Sequence, residues 1–304
     1  MQWFKSKKSD AWTAIRCSTK NTYLARVISR ANQKPLVTLA AVEQYTLDDE
    51  KNIKPCAKKY HLDQSNVNYL LELKDYQMLQ MDKPNVPDAE LKEAVRWQLK
   101  DLIDFPVEEA TIDLVKIPHN PDASENQDYI YTVACPNTLI AKISSDLRGQ
   151  KVNLQAIDVR MMAQRNIANL LATDGQGEAV LSFGKNSALL TFTYRGEIYN
   201  ARRIDIDEGK TATSFEKISL ELQRSLDGFE AKFRHIFIKK LLIAPFDFRD
   251  SFCEHLREAI YTKVETFNLD DIFEFPPHID MTDLGQQACF MHVLGAAMRE
   301  EVAA

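Results

Sequence analysis

Glu93–Ile117, EAVRWQLKDLIDFPVEEATIDLVKI, is the stretch on which the reading of this chain turns. Its first part has helical spacing, with Leu91, Ala94, Val95 and Leu102 on one face. Just upstream, Pro87 suits a first helical turn, where its missing N–H costs nothing. Asp88 and Glu90 sit near the positive end of the helix dipole. Phe105-Pro106 stops the helix, because proline disfavours helical geometry in the residue before it. Strands are expected at 110–117 and 129–135, joined by the polar loop HNPDASENQD.

Upstream, residues 11–17, 22–30 and 36–45 read as three strands, and 50–62 as a helix. Val67–Leu73 and Gln77–Met81 read as the two arms of a hairpin. Downstream, helices at 136–149 and 160–171 flank a strand at 152–158. The loop TDGQGE then precedes strands at 178–183, 187–194 and 197–205, the last two joined by a tight turn at Arg195-Gly196. An amphipathic helix (213–233), an apolar strand (236–244), a helix (249–262), a short strand (263–267) and a helix (284–300) complete the order. Each half opens with strands at hairpin spacing and then alternates helix and strand, which matches a duplicated α/β architecture.

Composition narrows the function. The chain has 304 residues, enough for two domains, and is 45% hydrophobic. Its formal net charge of −6 gives no electrostatic support to a nucleic-acid role. Five scattered cysteines without a C-x-x-C pair suit reduced thiols better than a disulfide frame. Cys253 and His255 do not share a helical face, so no metal site is expected there. No apolar run is long enough to span a membrane. The N-terminal MQWFKSKKSD reads either as a solvated end or as a weak membrane-surface or partner contact. There are only nine glycines, the first at Gly149, a poor supply for loops whose backbone must approach phosphate.

Ala94-Val95-Arg96-Trp97, Ile103, Phe105-Pro106, Glu108-Glu109 and Asp113 together resemble the signature segment of the PilM family of type IV pilus assembly proteins. The likeness is greater still to its MSHA-pilus branch, MshI. Weaker matches are Gln155-Ala156-Ile157-Asp158 with Asn166, then Glu221 with Arg224-Ser225-Leu226-Asp227, and Leu294-Gly295-Ala296-Ala297-Met298-Arg299. The resemblance implies an actin-like, two-lobed α/β fold of the duplicated ribonuclease H-like kind, with a subdomain inserted in the first lobe. The implied division is 1–64 (first lobe), 65–150 (insert), 151–174 (return to the first lobe) and 175–304 (second lobe, with 212–280 its smaller part).

Actin-like ATPases hold ATP between the lobes with two Asp-x-Gly hairpins and a glycine-rich base-binding element. In this sequence the first hairpin reads Ala14-Ile15-Arg16-Cys17-Ser18-Thr19. The second has Ser182 where aspartate is expected, although Gly184 remains. Asp205, Asp207 and Glu208 precede Gly209 at the third phosphate-side turn, and Ile243-Ala244-Pro245-Phe246 stands for the base-binding element without glycine. Losing aspartates and glycines together removes magnesium binding and close backbone approach. The expectation is a pseudo-ATPase with no catalytic residue, metal or cofactor, its degenerate cleft near Ser18, Ser182, Gly184 and Gly209. No P-loop, G-x-S-x-G or H-E-x-x-H motif offers other chemistry. His235 and His292 sit among apolar residues and read as packed.

The function implied by resemblance is that of a cytoplasmic scaffold, peripheral at the bacterial inner membrane. It would bind the cytoplasmic tail of a PilN-like single-pass partner between the first lobe and its insert. Arg96, Trp97 and Gln98 are the candidate partner contacts, with Trp97 equally readable as core. The alternatives are an ATP-binding switch of the same machinery and the cytoplasmic part of a type II secretion platform. The latter usually continues into a membrane span, whereas this sequence runs out at Glu300–Ala304.

Overall fold

The computed structural model describes residues 9–45, 50–119, 121, 128–206 and 212–299. The chain opens with β1 (Ser9–Cys17), β2 (Thr22–Ile28), β3 (Leu36–Glu43), α1 (Glu50–Lys59) and β4 (Ser65–Leu70). Next come β5 (Gln77–Asp82), α2 (Asp88–Leu99), β6 (Ala110–Lys116), β7 (Tyr129–Pro136) and α3 (Asn137–Gly149). Then β8 (Leu154–Asp158) and α4 (Arg160–Leu170) lead to β9 (Gly177–Phe183), β10 (Ser187–Tyr194) and β11 (Glu197–Asp205). The last elements are α5 (Ala212–Lys232), β12 (Ile238–Ile243), α6 (Arg249–Ala259), β13 (Lys263–Thr266), α7 (Leu269–Ile272) and α8 (Leu284–Ala297).

Two five-stranded sheets carry the same plan. The first runs β3-β2-β1-β4-β8 and the second β11-β10-β9-β12-β13. In each, the first three strands are antiparallel and the last two join in parallel. The hairpin between β10 and β11 closes at Arg195 (φ 50°) and Gly196 (φ 82°), the doubly left-handed turn whose twist suits adjacent strands. A third sheet, β5-β7-β6, with α2 on it, is built between β4 and β8.

The hairpin expected at 67–73 and 77–81 does not form. β4 pairs with β1 and β8, whereas β5 pairs with β7. Val67, Tyr69, Leu70 and Leu71 are all buried, so both faces of this segment need cover. A strand buried on both faces belongs inside a parallel sheet, not on a two-stranded arm. The insert's own sheet therefore starts at Gln77 rather than at 65. Residues 212–280, expected as a smaller part, supply β12 and β13 to the second lobe's one sheet.

α4 and α8 hold the lobes together. α4 follows the last strand of the first sheet but packs on β9–β11, while α8 follows the last strand of the second and packs on β1, β2 and β4. The two helices cross where a Cβ on Gly295 would lie 2.2 Å from the Ala163 carbonyl oxygen, so glycine is required there by backbone contact. α8 buries Phe290, Met291, Val293, Leu294, Ala296 and Ala297 around its whole circumference, as a helix enclosed between two sheets must.

Candidate functional site

A cleft of about 420 Å³ opens between the lobes. The end of β1, the segment after β4, the start of α4, the β9–β10 turn and the first half of α8 line it. Its floor is an ion-pair relay. The Arg16 guanidinium donates to Glu72 Oε1 at 2.7 Å and to the Cys289 carbonyl oxygen at 2.9 Å, and stacks 4.2 Å from the Tyr23 ring. Arg160 donates to the other Glu72 oxygen. Both arginine side chains are about nine-tenths buried. Burial lowers the Arg160 guanidinium from its ordinary value, against the pull of Glu72. A carboxylate shared by two buried cations satisfies each with directional, charge-assisted bonds. Removing one partner leaves a buried charge unpaired, which costs several kcal/mol, of order 3–5.

Behind the relay lies a neutral network. Ser182 donates to Gln164 Oε1 at 2.5 Å, and His292 Nε2 lies 3.0 Å from the same oxygen. The Gln164 amide donates to the Val180 and Leu189 carbonyls, which leaves its oxygen as the acceptor for both. Burial, with the positive fields of Arg160 and Arg16 adding to it, holds His292 well below the ordinary imidazole range. The imidazole is therefore neutral and uses Nε2–H as a donor. On the second-lobe side, Phe183 and Phe246 stack at 4.2 Å between centroids. Asp247 Oδ1 would lie 2.3 Å from a Cβ on Gly285, so a glycine opens the start of α8 to this carboxylate, favourably placed at a helix N-terminus.

No protein-family profile matches the chain, and no curated protein sequence matches it. Solved structures do. A chain of the PilM–PilN type IV pilus biogenesis complex superposes with a TM-score of 0.73 at 16% identity, covering 96% of this chain and 98% of that one. A Bacteroides thetaiotaomicron protein with an actin-like ATPase fold and unknown function gives 0.54 at 12%, covering 90% and 96%. The fold is actin-like. The cytoplasmic domain of EpsL, an inner membrane component of the type II secretion system of Vibrio cholerae, gives 0.53 at 12%, covering 95% and 96%. At these identities the likeness carries the fold alone.

In an actin-like frame the cleft is where phosphate loops meet, and its residues can be compared with that task. Ser18 lies in the β1–β2 turn, where its hydroxyl donates to the Asn21 carbonyl at 3.0 Å and accepts the Asn21 N–H at 3.0 Å. Gly184 lines the cleft, and a Cβ there would meet the Ser187 carbonyl oxygen at 3.1 Å. Ser182 is 3% exposed and sits behind the wall, held by Gln164. Gly209, with Asp207 and Glu208, lies outside the described residues. Of the four residues expected at the cleft, the structure thus brings Ser18 and Gly184 to it. The hairpin Ala14–Thr19 brings Arg16 to the cleft, where its guanidinium is paired with Glu72. Among the described residues, no three His, Cys, Asp or Glu side chains are grouped to hold a metal ion. Glu72, the buried carboxylate of the cleft, is engaged on both oxygens. Among the described residues, the ligand set of a magnesium–triphosphate group is not assembled at the cleft, where Asp247 is the other carboxylate of the lining.

The insert presents a different surface. Arg96, expected as a partner contact, donates to the Val107 carbonyl at 2.6 Å and is half-buried, so it ties α2 to the turn before β6. Trp97 is 72% exposed and Gln98 is exposed, so Trp97 is not core. Leu102, expected on the buried face, is 55% exposed, because α2 ends at Leu99 and Leu99 takes the buried position instead. A groove of about 390 Å³ runs beside Leu102 between β5 and the Ala201–Arg203 edge of β11. It separates the insert from the second lobe, not from the first.

Sequence reasoning missed Glu72 and Arg160 as site residues. A lone glutamate among leucines and a lone arginine at a helix start carry no motif. The available signal was their setting in otherwise apolar segments, Leu70-Leu71-Glu72-Leu73 and Val159-Arg160-Met161, since a buried charge requires a partner.

Proposed function

We propose that this chain is a non-enzymatic scaffold of a type IV, MSHA-like pilus assembly platform at the cytoplasmic face of the inner membrane. In this reading it takes up the cytoplasmic tail of a PilN-like single-pass partner. The observation that carries the proposal is the superposition over 96% of the chain on a component of the PilM–PilN complex, a share that has to include the inserted sheet. The exposed Trp97 and Leu102 on that insert supply apolar anchors of the kind that seat an extended peptide. Titration of the chain with the N-terminal cytoplasmic peptide of a PilN-like protein encoded beside it tests the reading. Saturable binding is expected, and no binding at high micromolar peptide overturns it.

The cleft in this proposal is that of a pseudo-ATPase. Support for it comes from Arg16, Glu72 and Arg160, which are paired with one another at the floor of the cleft. Calorimetry with Mg-ATP is expected to give no saturable magnesium-dependent heat and no phosphate release, and turnover would overturn this part of the reading. A second reading, the cytoplasmic part of a type II secretion platform, is favoured by the likeness to EpsL over 95% of the chain. Pull-down with the tails of both classes of inner-membrane partner separates the two.

A further inference from the structure

The insert meets the second lobe as well as the first. Residues alternate along β7: Ile130 and Ala134 enter the core under α2, whereas Tyr131 and Val133 enter the core shared by the two lobes. Tyr131 is buried, and its hydroxyl reaches Ala201 of β11. It accepts the Ala201 N–H at 2.6 Å and donates to the Ala201 carbonyl oxygen at 3.3 Å. β11 is the outermost strand of the second sheet, so one hydroxyl stands where a pairing strand would otherwise be. Two residues earlier on β7, the Tyr129 ring faces the ammonium of Lys232, the last residue of α5, 3.2 Å from the ring centroid. Two residues further along β11, Arg203 donates to the Leu73 carbonyl oxygen at 3.1 Å. Leu73 adjoins Glu72, whose carboxylate joins Arg16 and Arg160 at the cleft floor.

A second tie lies at the other end of the first sheet. The β1–β2 turn lines the cleft with Ser18 and Thr19, and the β2–β3 turn is at the opposite end of β2. Here the first lobe pairs with the second through backbone. The Val37 N–H donates to the Glu274 carbonyl oxygen at 3.0 Å, and the Glu274 N–H to the Pro35 carbonyl oxygen at 2.9 Å. Lys34 Nζ donates to the Asp270 carbonyl oxygen at 2.7 Å, and Arg30 pairs with the Glu274 carboxylate at 2.5 Å. The lobes are thus joined beside the cleft by the insert, at the far end by this turn, and between the two by the crossing of α4 and α8. Turning the lobes about that crossing to widen the cleft pulls Tyr131 from Ala201 and Arg203 from Leu73.

We infer that the insert is a strap that holds the two lobes at one opening of the cleft. Lobes joined at a hinge move relative to one another by default, and a tie across the moving side suppresses that motion. This tie can part without unfolding either body, because the insert keeps a core of its own around Leu91, Val95, Leu99, Ile112 and Ile130. The groups that part are polar and buried or half-buried, so losing their partners favours the strapped arrangement. The inference concerns the opening of the cleft and stands apart from the partner-tail reading.

Cys289 reports the opening, since it lines the cleft and is half-buried, whereas Cys56 and Cys253 are buried within the lobes. The test is labelling of the full chain with N-ethylmaleimide, with each modified cysteine located by peptide mass mapping. Tyr131→Phe keeps the ring and removes the hydroxyl, and Arg203→Ala releases Leu73 from an exposed position. Each is expected to speed labelling of Cys289 about three- to tenfold, the effect of one lost internal hydrogen bond on an opening equilibrium. Cys56 and Cys253 are expected to label as in the wild type. Lys116→Ala, which removes an ion pair between β6 and α2 inside the insert, is expected to leave Cys289 unchanged. Wild-type labelling of Cys289 in both strap variants overturns the inference. So does a parallel rise at Cys56 and Cys253, since these groups would then hold the fold and not the opening. An equal rise at Cys289 in Lys116→Ala overturns it too.

Discussion

The interlobe cleft and the outer face of the insert are built on opposite principles. In the cleft, the charged groups nearest the floor are spent on one another, with Glu72 joined to Arg16 and Arg160 and His292 joined to Gln164. On the insert, Trp97 and Leu102 remain exposed, at 72% and 55%. A buried polar group without a partner is costly, and these buried charges find theirs within the chain. An exposed tryptophan costs folding little and keeps its apolar area available for association. The difference directs attention away from the pocket and toward the surface.

Four changes would break or sharpen that contrast. Glu72→Gln should have the largest effect, because Arg16 and Arg160 then share a buried site without their counter-charge. A loss of about 3–5 kcal/mol in urea unfolding is expected. A stability equal to wild type would mean that the relay does not hold the cleft. Gly295→Ala drives a methyl into the Ala163 carbonyl where α4, the bearer of Arg160, meets α8, the bearer of His292. Overpacking there should cost about 1–3 kcal/mol, measured in the same way.

The third change concerns pH. His292 stays neutral in the folded chain, whereas in the unfolded chain an imidazole binds a proton below about pH 6.5. The unfolded state therefore holds more protons below that pH. Stability is full above it and falls as the pH drops toward the lowered folded value, by at most about 1.4 kcal/mol per unit. His292→Gln keeps an amide donor for Gln164 and should flatten this slope between pH 6.5 and 5. An identical slope in the variant would assign the pH dependence elsewhere. The smallest effect on stability is expected from Trp97→Ala, within about 0.5 kcal/mol. The same variant should lose at least about tenfold in affinity for a partner tail. A Trp97→Ala protein that unfolds easily would make the residue structural and erase the contrast.

Local patterning made most of the elements legible, because helix and strand periods are set within a few residues. Strand-to-helix order from β6 to α8 follows the sequence reading closely, and the Arg195-Gly196 turn lies where its dipeptide placed it. Pairing was less legible. β4 and β5 are close in sequence, and only the shared burial of both faces of β4 sends them to different sheets. At the cleft, the residues of the two hairpins could be read directly, but the pairing of Arg16 and Arg160 with Glu72 could not.

The sequence by itself determined the duplicated element order and the scarcity of glycine in the first half of the chain. Only the tertiary structure decided which groups meet in the cleft. The relay joins residues 56 and 88 positions apart, and Arg16 reaches a carbonyl 273 positions away. Such contacts have no local period, since they form only when the sheet order and the crossing of α4 and α8 bring those ends together. Trp97 is the same lesson in reverse. Its sequence setting left core and surface equally open, and the burial of Leu91, Val95 and Leu99 on the other side of α2 leaves it to solvent.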